Sequence, residues 1–238
     1  MTAPHGGRVR SRSLEAWRHS HLAELPDEAC EAMLADAFVM TVPAGNPIGE
    51  PGGCETRALI HSGLTRIVLA APDGRTATIR YAGAGQVLGL ASAMTGGSPW
   101  SGYAITECEV TFLNPQTLRR LGQADGRVAW ALAKQLARVC YEVVDTLGGN
   151  VFGTIDQRVS RHLLDMAVTR PEGLVVLADQ RELAQSVGSV REVVARSIRT
   201  LRERGALMRL PKGGLLIVRP DVLQEVADGI EASASSPA

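Results

Sequence analysis

The stretch Asp179–Gly205, DQRELAQSVGSVREVVARSIRTLRERG, restricts what this chain can fold into more than any other. Asp179 stands where a helix N-cap is expected, and Glu182 three residues later completes a capping-box spacing. Leu183, Ala184 and Val187 give a first helix its apolar face. Gly188-Ser189-Val190 breaks that period. From Arg191 the apolar residues return at Val194, Ile198 and Leu201, spaced i, i+4 and i+7 as a second helix requires. Gly205 occupies the place of a left-handed C-terminal cap. Two short helices across a sharp turn are a helix-turn-helix.

The other face of the second helix carries Arg191, Glu192, Arg196, Arg199, Arg202 and Arg204. Residues 179–219 hold nine Lys/Arg against four Asp/Glu, a local +5 in a chain of 238 residues with formal net charge zero. A charge run by itself is more often a solvated face, but charge segregated onto one module suits a phosphate-bearing partner. The residues after Gly205 support the second reading. Leu207–Val218, LMRLPKGGLLIV, sets Pro211-Lys212-Gly213-Gly214 between two apolar, β-prone runs, which is a hairpin pattern. A helix-turn-helix with a hairpin after it is a winged helix, with Lys212 at the wing tip.

At these residues the chain resembles the CRP/FNR superfamily of bacterial transcription factors: ELAQSVGSVREVVARSIRTL is similar to the family's ELA…VG-x-S-R-E-T-V-x-R…L signature. The resemblance implies that Arg191, Glu192 and Arg196 read bases. Their chemistry fits, since Arg offers a fork to guanine O6 and N7 and Glu accepts from cytosine N4, each pair worth about 1–3 kcal/mol of discrimination. Gln180, Ser189, Arg199 and Lys212 fall where DNA phosphates are expected. Two positions depart from the signature. Val190 replaces a Ser, so that cap is lost or moved to Ser189, and Val193 replaces a Thr that would donate to phosphate.

Upstream, residues 38–113 are rich in Gly, Thr, Val and Ile, with turn signals every eight to twelve residues at Pro43-Ala-Gly45, Pro51-Gly-Gly53, Pro72-Asp-Gly74, Gly83-Ala-Gly85 and Gly96-Gly97. That spacing predicts many short antiparallel strands. Residues 58–70 followed by 76–81 read as a hairpin, and residues 14–36 before them as helical, with Pro26 opening a second short helix. Leu59–Gly63 and Gly83-Ala-Gly85-Gln-Val-Leu-Gly89-Leu90 resemble the family's β-roll sensor, the cyclic-nucleotide-binding fold.

The same resemblance argues against cyclic AMP. Cyclic-nucleotide binders follow that last Gly with a Glu that holds the ribose, and an Arg-Ser or Arg-Thr pair soon after clamps the phosphate. Here the Glu position is Leu90, and no Arg or Lys occurs between Leu90 and Cys108. A cyclic phosphate would lose its bidentate partner, so cyclic AMP is not expected as the effector and no cofactor is predicted. Cys30, Cys54, Cys108 and Cys140 have no metal-type spacing and cannot supply an iron–sulfur set. They read first as small buried hydrophobes. A haem or redox variant would draw on His61, His19 or His21, or on Cys108 or Cys140.

After Pro115 the pattern is helical. Trp130, Ala137, Val144 and Val151 occupy one heptad position, and Ala133, Cys140 and Leu147 the other. Such a seam serves a parallel two-helix dimer or packs on the chain's own roll; the resemblance favours the dimer. Gly148-Gly149 costs helix stability and reads as a hinge. Thr154 with Gln157 opens a further helix over 154–168 by a capping box, residues 174–178 form a short strand, and a last helix runs over 221–231 after Pro220.

The fold class expected is α+β: a disordered tail (1–13), an antiparallel β-roll sensor (14–125), a long central dimerisation helix (126–152), a winged helix-turn-helix (153–231) and a second disordered tail (232–238). The function expected is a homodimeric, cytoplasmic regulator that binds a near-palindromic duplex, with RNA polymerase a further candidate partner. No apolar run approaches membrane-spanning length, and the start, MTAPHGGRVRSRS, lacks the apolar core of a signal peptide. No Ser/His/Asp set, P-loop, metal-ligand spacing or Rossmann glycine pattern points to an enzyme or a metal site. A winged-helix protein-interaction module is the alternative, told apart by whether DNA binding is salt-sensitive.

Overall fold

Turn residues at short intervals cut the described part of residues 38–113 into eight strands, as a computed structural model of the chain shows. The structure describes residues 13–49, 57–72, 74, 76–177, 180–211 and 213–229. By contacts the chain divides into two units, one of Met1–Ala70 with Ile79–Val144 and one of Ala71–Thr78 with Asp145–Ala238. Of the expected tails only Ser13 is described, and it is buried and helical. The rest of both tails and the N-cap expected at Asp179 lie outside the described residues, as does most of the Gly/Pro-rich stretch after Asn46.

The strands are β1 (Phe38–Val42), β2 (Pro47–Gly49), β3 (Ala58–Ser62), β4 (Thr65–Ala70), β5 (Thr76–Ala82), β6 (Val87–Leu88), β7 (Trp100–Ala104) and β8 (Cys108–Phe112). They form two four-stranded sheets, in the orders β1-β8-β3-β6 and β2-β7-β4-β5. The hairpin predicted between residues 58–70 and 76–81 is present as β4 and β5, neighbours in one sheet, but its first strand does not reach back to Ala58, because β3 lies in the other sheet. Gly63 divides β3 from β4 at φ 92°, where a Cβ would meet the Glu107 carbonyl oxygen at 2.4 Å. Only glycine fits so close a backbone approach. Between the sheets Val42, Ile48, Ile60, Ile67, Ala82, Leu88, Cys108 and Val110 make an aliphatic core.

Residues 13–18 form a first helical segment (α1), and α2 runs Asp27–Ala35 with Pro26 as its N-cap. A short helix that the pattern did not predict, α3 (Leu90–Thr95), follows β6. Next come α4 (Pro115–Ala124), capped by Asn114 through the amides of Gln116 and Thr117, and α5 (Gly126–Phe152). Val128, Ala131 and Leu132 of α5 pack with Trp17, Leu22, Met33, Leu59, Leu90 and Leu118 in a second core. Burial divides the cysteines. Cys30 and Cys108 are buried, and burial pushes the Cys30 thiol up to about 11 and the Cys108 thiol in the same direction. Cys140 is exposed, correcting the expectation of burial for that residue.

In the second unit, α6 (Ile155–Asp165) starts with the predicted capping box: Thr154 Oγ1 accepts from the Gln157 amide, and Gln157 Oε1 accepts from the Thr154 amide at 2.6 Å. It stops sooner than the pattern implied, because Val168 belongs to β9 (Val168–Arg170), which pairs antiparallel with β10 (Gly173–Val176). Then follow α7 (Gln180–Ser186), α8 (Arg191–Glu203), β11 (Leu207–Arg209), β12 (Leu215–Ile217) and α9 (Pro220–Asp228), with the sheet order β11-β12-β10-β9. No helix among the described residues is long and apolar enough to cross a membrane.

Gly148 and Gly149 sit inside α5, which runs through both without a break. The two differ in surroundings. A Cβ at Gly148 meets nothing, whereas one at Gly149 would lie on the Arg161 guanidinium, whose Nη2 donates to the Ala227 carbonyl at 3.1 Å. Gly148→Ala is therefore expected to raise stability by about 0.5–1 kcal/mol through helix propensity. Gly149→Ala should lose that gain by evicting Arg161. Urea unfolding of the two variants checks the contrast.

Candidate nucleic-acid interface

The helix-turn-helix is held from three sides. Leu183, Ala184 and Val187 are buried beneath α7 and its end, as the spacing required. In the turn, the Val187 amide donates to Leu183 O at 3.0 Å and the Ser189 amide to Ala184 O at 2.9 Å, with Gly188 at φ 63°. The sequence did not disclose the third support. Arg158 of α6 sends Nη1 to the Val187 carbonyl at 3.0 Å, filling an acceptor that the end of α7 leaves open.

Val190 is the N-cap of α8, with φ −97° and no side-chain cap bond. The hydroxyl that the family signature places there is lost, and its capping role is not taken up by Ser189. Val194, Ser197, Ile198 and Leu201 are the buried face. Burying such aliphatic side chains is worth about 1.5–3 kcal/mol each, which fixes the rotation of the helix. Glu192, Arg196 and Arg199 recur at i, i+4 and i+7 opposite that face, and all are exposed or half-exposed. Arg191 and Arg202 flank them, also exposed. The helix ends in a Schellman pair: the Ala206 amide reaches Leu201 O at 3.0 Å and the Gly205 amide reaches Arg202 O at 2.9 Å, with Gly205 at φ 72°.

The predicted wing is present. Leu207 pairs with Ile217 and Arg209 with Leu215, and the turn closes through the Gly213 amide to Leu210 O at 3.1 Å. Arg209 is exposed on this hairpin. Lys212 lies outside the described residues, and so does the side chain of Gln180. Ser189 is half-buried in the turn. The structure thus exposes Glu192, Arg196 and Arg199 on one face of α8, with Arg191 exposed at its first turn.

Further up the chain, the residues of the predicted seam lie outside the buried part of α5: Trp130, Ala133, Ala137, Cys140, Val144, Leu147 and Val151. The buried residues of that helix are Val128, Ala131, Leu132 and Gln135. Within the first unit, Trp130, Ala133, Ala137, Cys140 and Val144 are exposed rather than packed on the roll.

In the roll, Leu90 is buried as the first residue of α3, the position at which the family resemblance implies a ribose-holding Glu. On β5, Arg80 is buried and sends Nε to Glu142 Oε2 of α5 at 2.5 Å. His19 and His61 line a cavity of about 380 Å³ with Glu15, Ser62, Gly85 and Glu109. His61 Nε2 lies 2.5 Å from Thr111 Oγ1, and His19 Nδ1 lies 2.9 Å from the Glu15 carbonyl. Ala16 and Ala84 complete its lining, so carboxylates, imidazoles and small apolar side chains share the recess.

With this geometry in hand, the comparisons with known proteins agree. Residues 157–226 match the Crp-like helix-turn-helix domain, and residues 43–125 the cyclic nucleotide-binding domain. The chain is 31% identical over 162 residues to the cAMP-activated global transcriptional regulator Vfr of Pseudomonas aeruginosa, spanning 64% of this chain and 76% of that one. It is 30% identical over 190 residues to the transcriptional regulator LdrP of Thermus thermophilus, spanning 76% and 93%. A crystal structure of a crp/fnr-family regulator from Eubacterium rectale superposes with a TM-score of 0.70 at 16% identity, covering 87% of this chain and 96% of that one.

Proposed function

Because this chain belongs to the CRP/FNR family of DNA-binding transcription regulators, we propose that it acts as a homodimer on a near-palindromic duplex. The exposed seam of α5 joins the two protomers. The two α8 helices then enter successive major grooves about 34 Å apart. Arg191, Glu192 and Arg196 read base edges, while Gln180, Ser189, Arg199 and Lys212 contact phosphates. One observation carries this reading: the face of α8 opposite Val194, Ile198 and Leu201 presents Glu192, Arg196 and Arg199 to solvent, flanked by Arg191. Bound there, the dimer acts on transcription with RNA polymerase as its partner. Selection from a random duplex library tests the proposal. It should enrich two inverted half-sites with centres about one helical turn apart; a library that stays random after several rounds refutes it.

Cyclic AMP is not the effector in this reading, although the relative Vfr is described as cAMP-activated. Leu90 cannot hold a ribose hydroxyl, and residues 91–107 offer no cation to a cyclic phosphate. Calorimetry with cyclic AMP should give no binding in the micromolar range. A micromolar or tighter dissociation constant would overturn this part of the proposal. A signal in the roll passes to the recognition helices through α5, with Gly148-Gly149 as the hinge.

A further inference from the structure

The roll contains a cation that the family resemblance did not point to. Arg80 and Ala82 share the inward face of β5, and Ala82 is part of the core between the sheets. Arg80 is 6% exposed, and its only hydrogen bond among the described residues runs from Nε to Glu142 Oε2. Its Nη2 is buried with no partner among the described residues. Nε and Nη2 form one edge of a guanidinium and together match two oxygens of one anion. Arg127 shows that edge fully used, with Nε and Nη2 both donating to Asp125. Arg80 uses only half of it. A buried donor left unsatisfied is costly, so a ligand that fills both positions gains over Glu142, which fills one.

The two partners also differ in where they can go. The Glu142 side chain is 36% exposed on α5 and can return its carboxylate to water, whereas Arg80 cannot leave the interior. We propose that Arg80 is the recognition residue for a small-molecule effector carrying a carboxylate or phosphate, two oxygens of which take the Nε/Nη2 edge and release Glu142. Exchange of one anion for another keeps the buried guanidinium paired throughout. It also cuts the tie between β5 and α5, so the ligand's arrival is registered on the helix that carries the seam. This inference rests on reading the roll as a sensor.

The test uses the full chain without DNA, so it fails or succeeds independently of the DNA-binding proposal. Inorganic phosphate and, separately, acetate are titrated calorimetrically against sodium chloride at matched ionic strength. Glu142→Gln, which removes the competing charge, should bind one of the two anions about tenfold more tightly than the unaltered protein. Adding Arg80→Gln to that variant should abolish the binding. Adding Arg80→Lys instead, which keeps the charge but not the fork, should return it to the unaltered level or below, and circular dichroism confirms the fold of each variant. Preference for phosphate assigns a phosphorylated effector, and preference for acetate a carboxylate. If neither anion binds Glu142→Gln more tightly, or binding survives both replacements of Arg80, the proposal is overturned.

Discussion

Arg196→Ala is expected to relax base preference at one pair of each half-site and to weaken the enriched duplex by about 1–3 kcal/mol per half-site. The side chain lies at the centre of the α8 surface, and its removal leaves Val194, Ile198 and Leu201 in place. Alanine is also the better helix former, so the loss is not one of folding. Arg199→Ala makes the necessary contrast. A phosphate contact carries no sequence information, so this variant should weaken all duplexes alike and lower the slope of log affinity against log salt by about one per protomer. Fluorescence anisotropy on the enriched duplex and on single-pair variants, at several salt concentrations, separates the two behaviours. Equal losses on every duplex for Arg196→Ala would remove it from the base-reading set.

The second large effect is at the seam. Leu147→Asp is expected to separate the protomers and, with them, to abolish binding to the two-half-site duplex. Leu147 is 60% exposed in the single chain, beside Val144 at 56% and Val151 at 61%. In the proposed dimer, two-fold symmetry sets the substitution into the interface twice, so burial worth about 1.5–3 kcal/mol per side chain is lost from both copies. That corresponds to a dimer weakened by at least roughly a hundredfold. Sedimentation equilibrium reads this directly. Cys140 gives an independent readout, since it is exposed on the same seam while Cys30 and Cys108 are buried. A mild added oxidant should join the two Cys140 thiols as a disulfide in the unaltered protein and not in Leu147→Asp. A variant that stays dimeric would place the protomer contact elsewhere.

The two outcomes also mark how far the residues alone could be read. The α8 helix was legible because its apolar positions, its break at Gly188 and its end at Gly205 are local signals that agree with one another. The same holds for the Thr154–Gln157 capping box. The signals that failed depend on distant parts of the chain. Gly63 ends β3 because the Glu107 backbone, far along the sequence, passes close by, which no local window records. Val168 continues the apolar spacing of α6, yet its backbone pairs with Val175 in the wing sheet. The support of Arg158 for the Val187 carbonyl, and the Arg80–Glu142 pair across 62 positions, are likewise contacts between elements rather than spacings within one. Charge segregation announced the interface, but which face of each helix is free was decided by packing.

Two protomers joined along α5, with both α8 helices set into one duplex, is the arrangement on which the proposed function stands. Mass photometry of the protein on the enriched duplex counts the protomers bound. Two per duplex are expected, in a complex that collapses to free DNA when either half-site is scrambled or when Leu147→Asp replaces the unaltered chain. A complex of one protomer per duplex, equally stable on scrambled sequence, would contradict that arrangement.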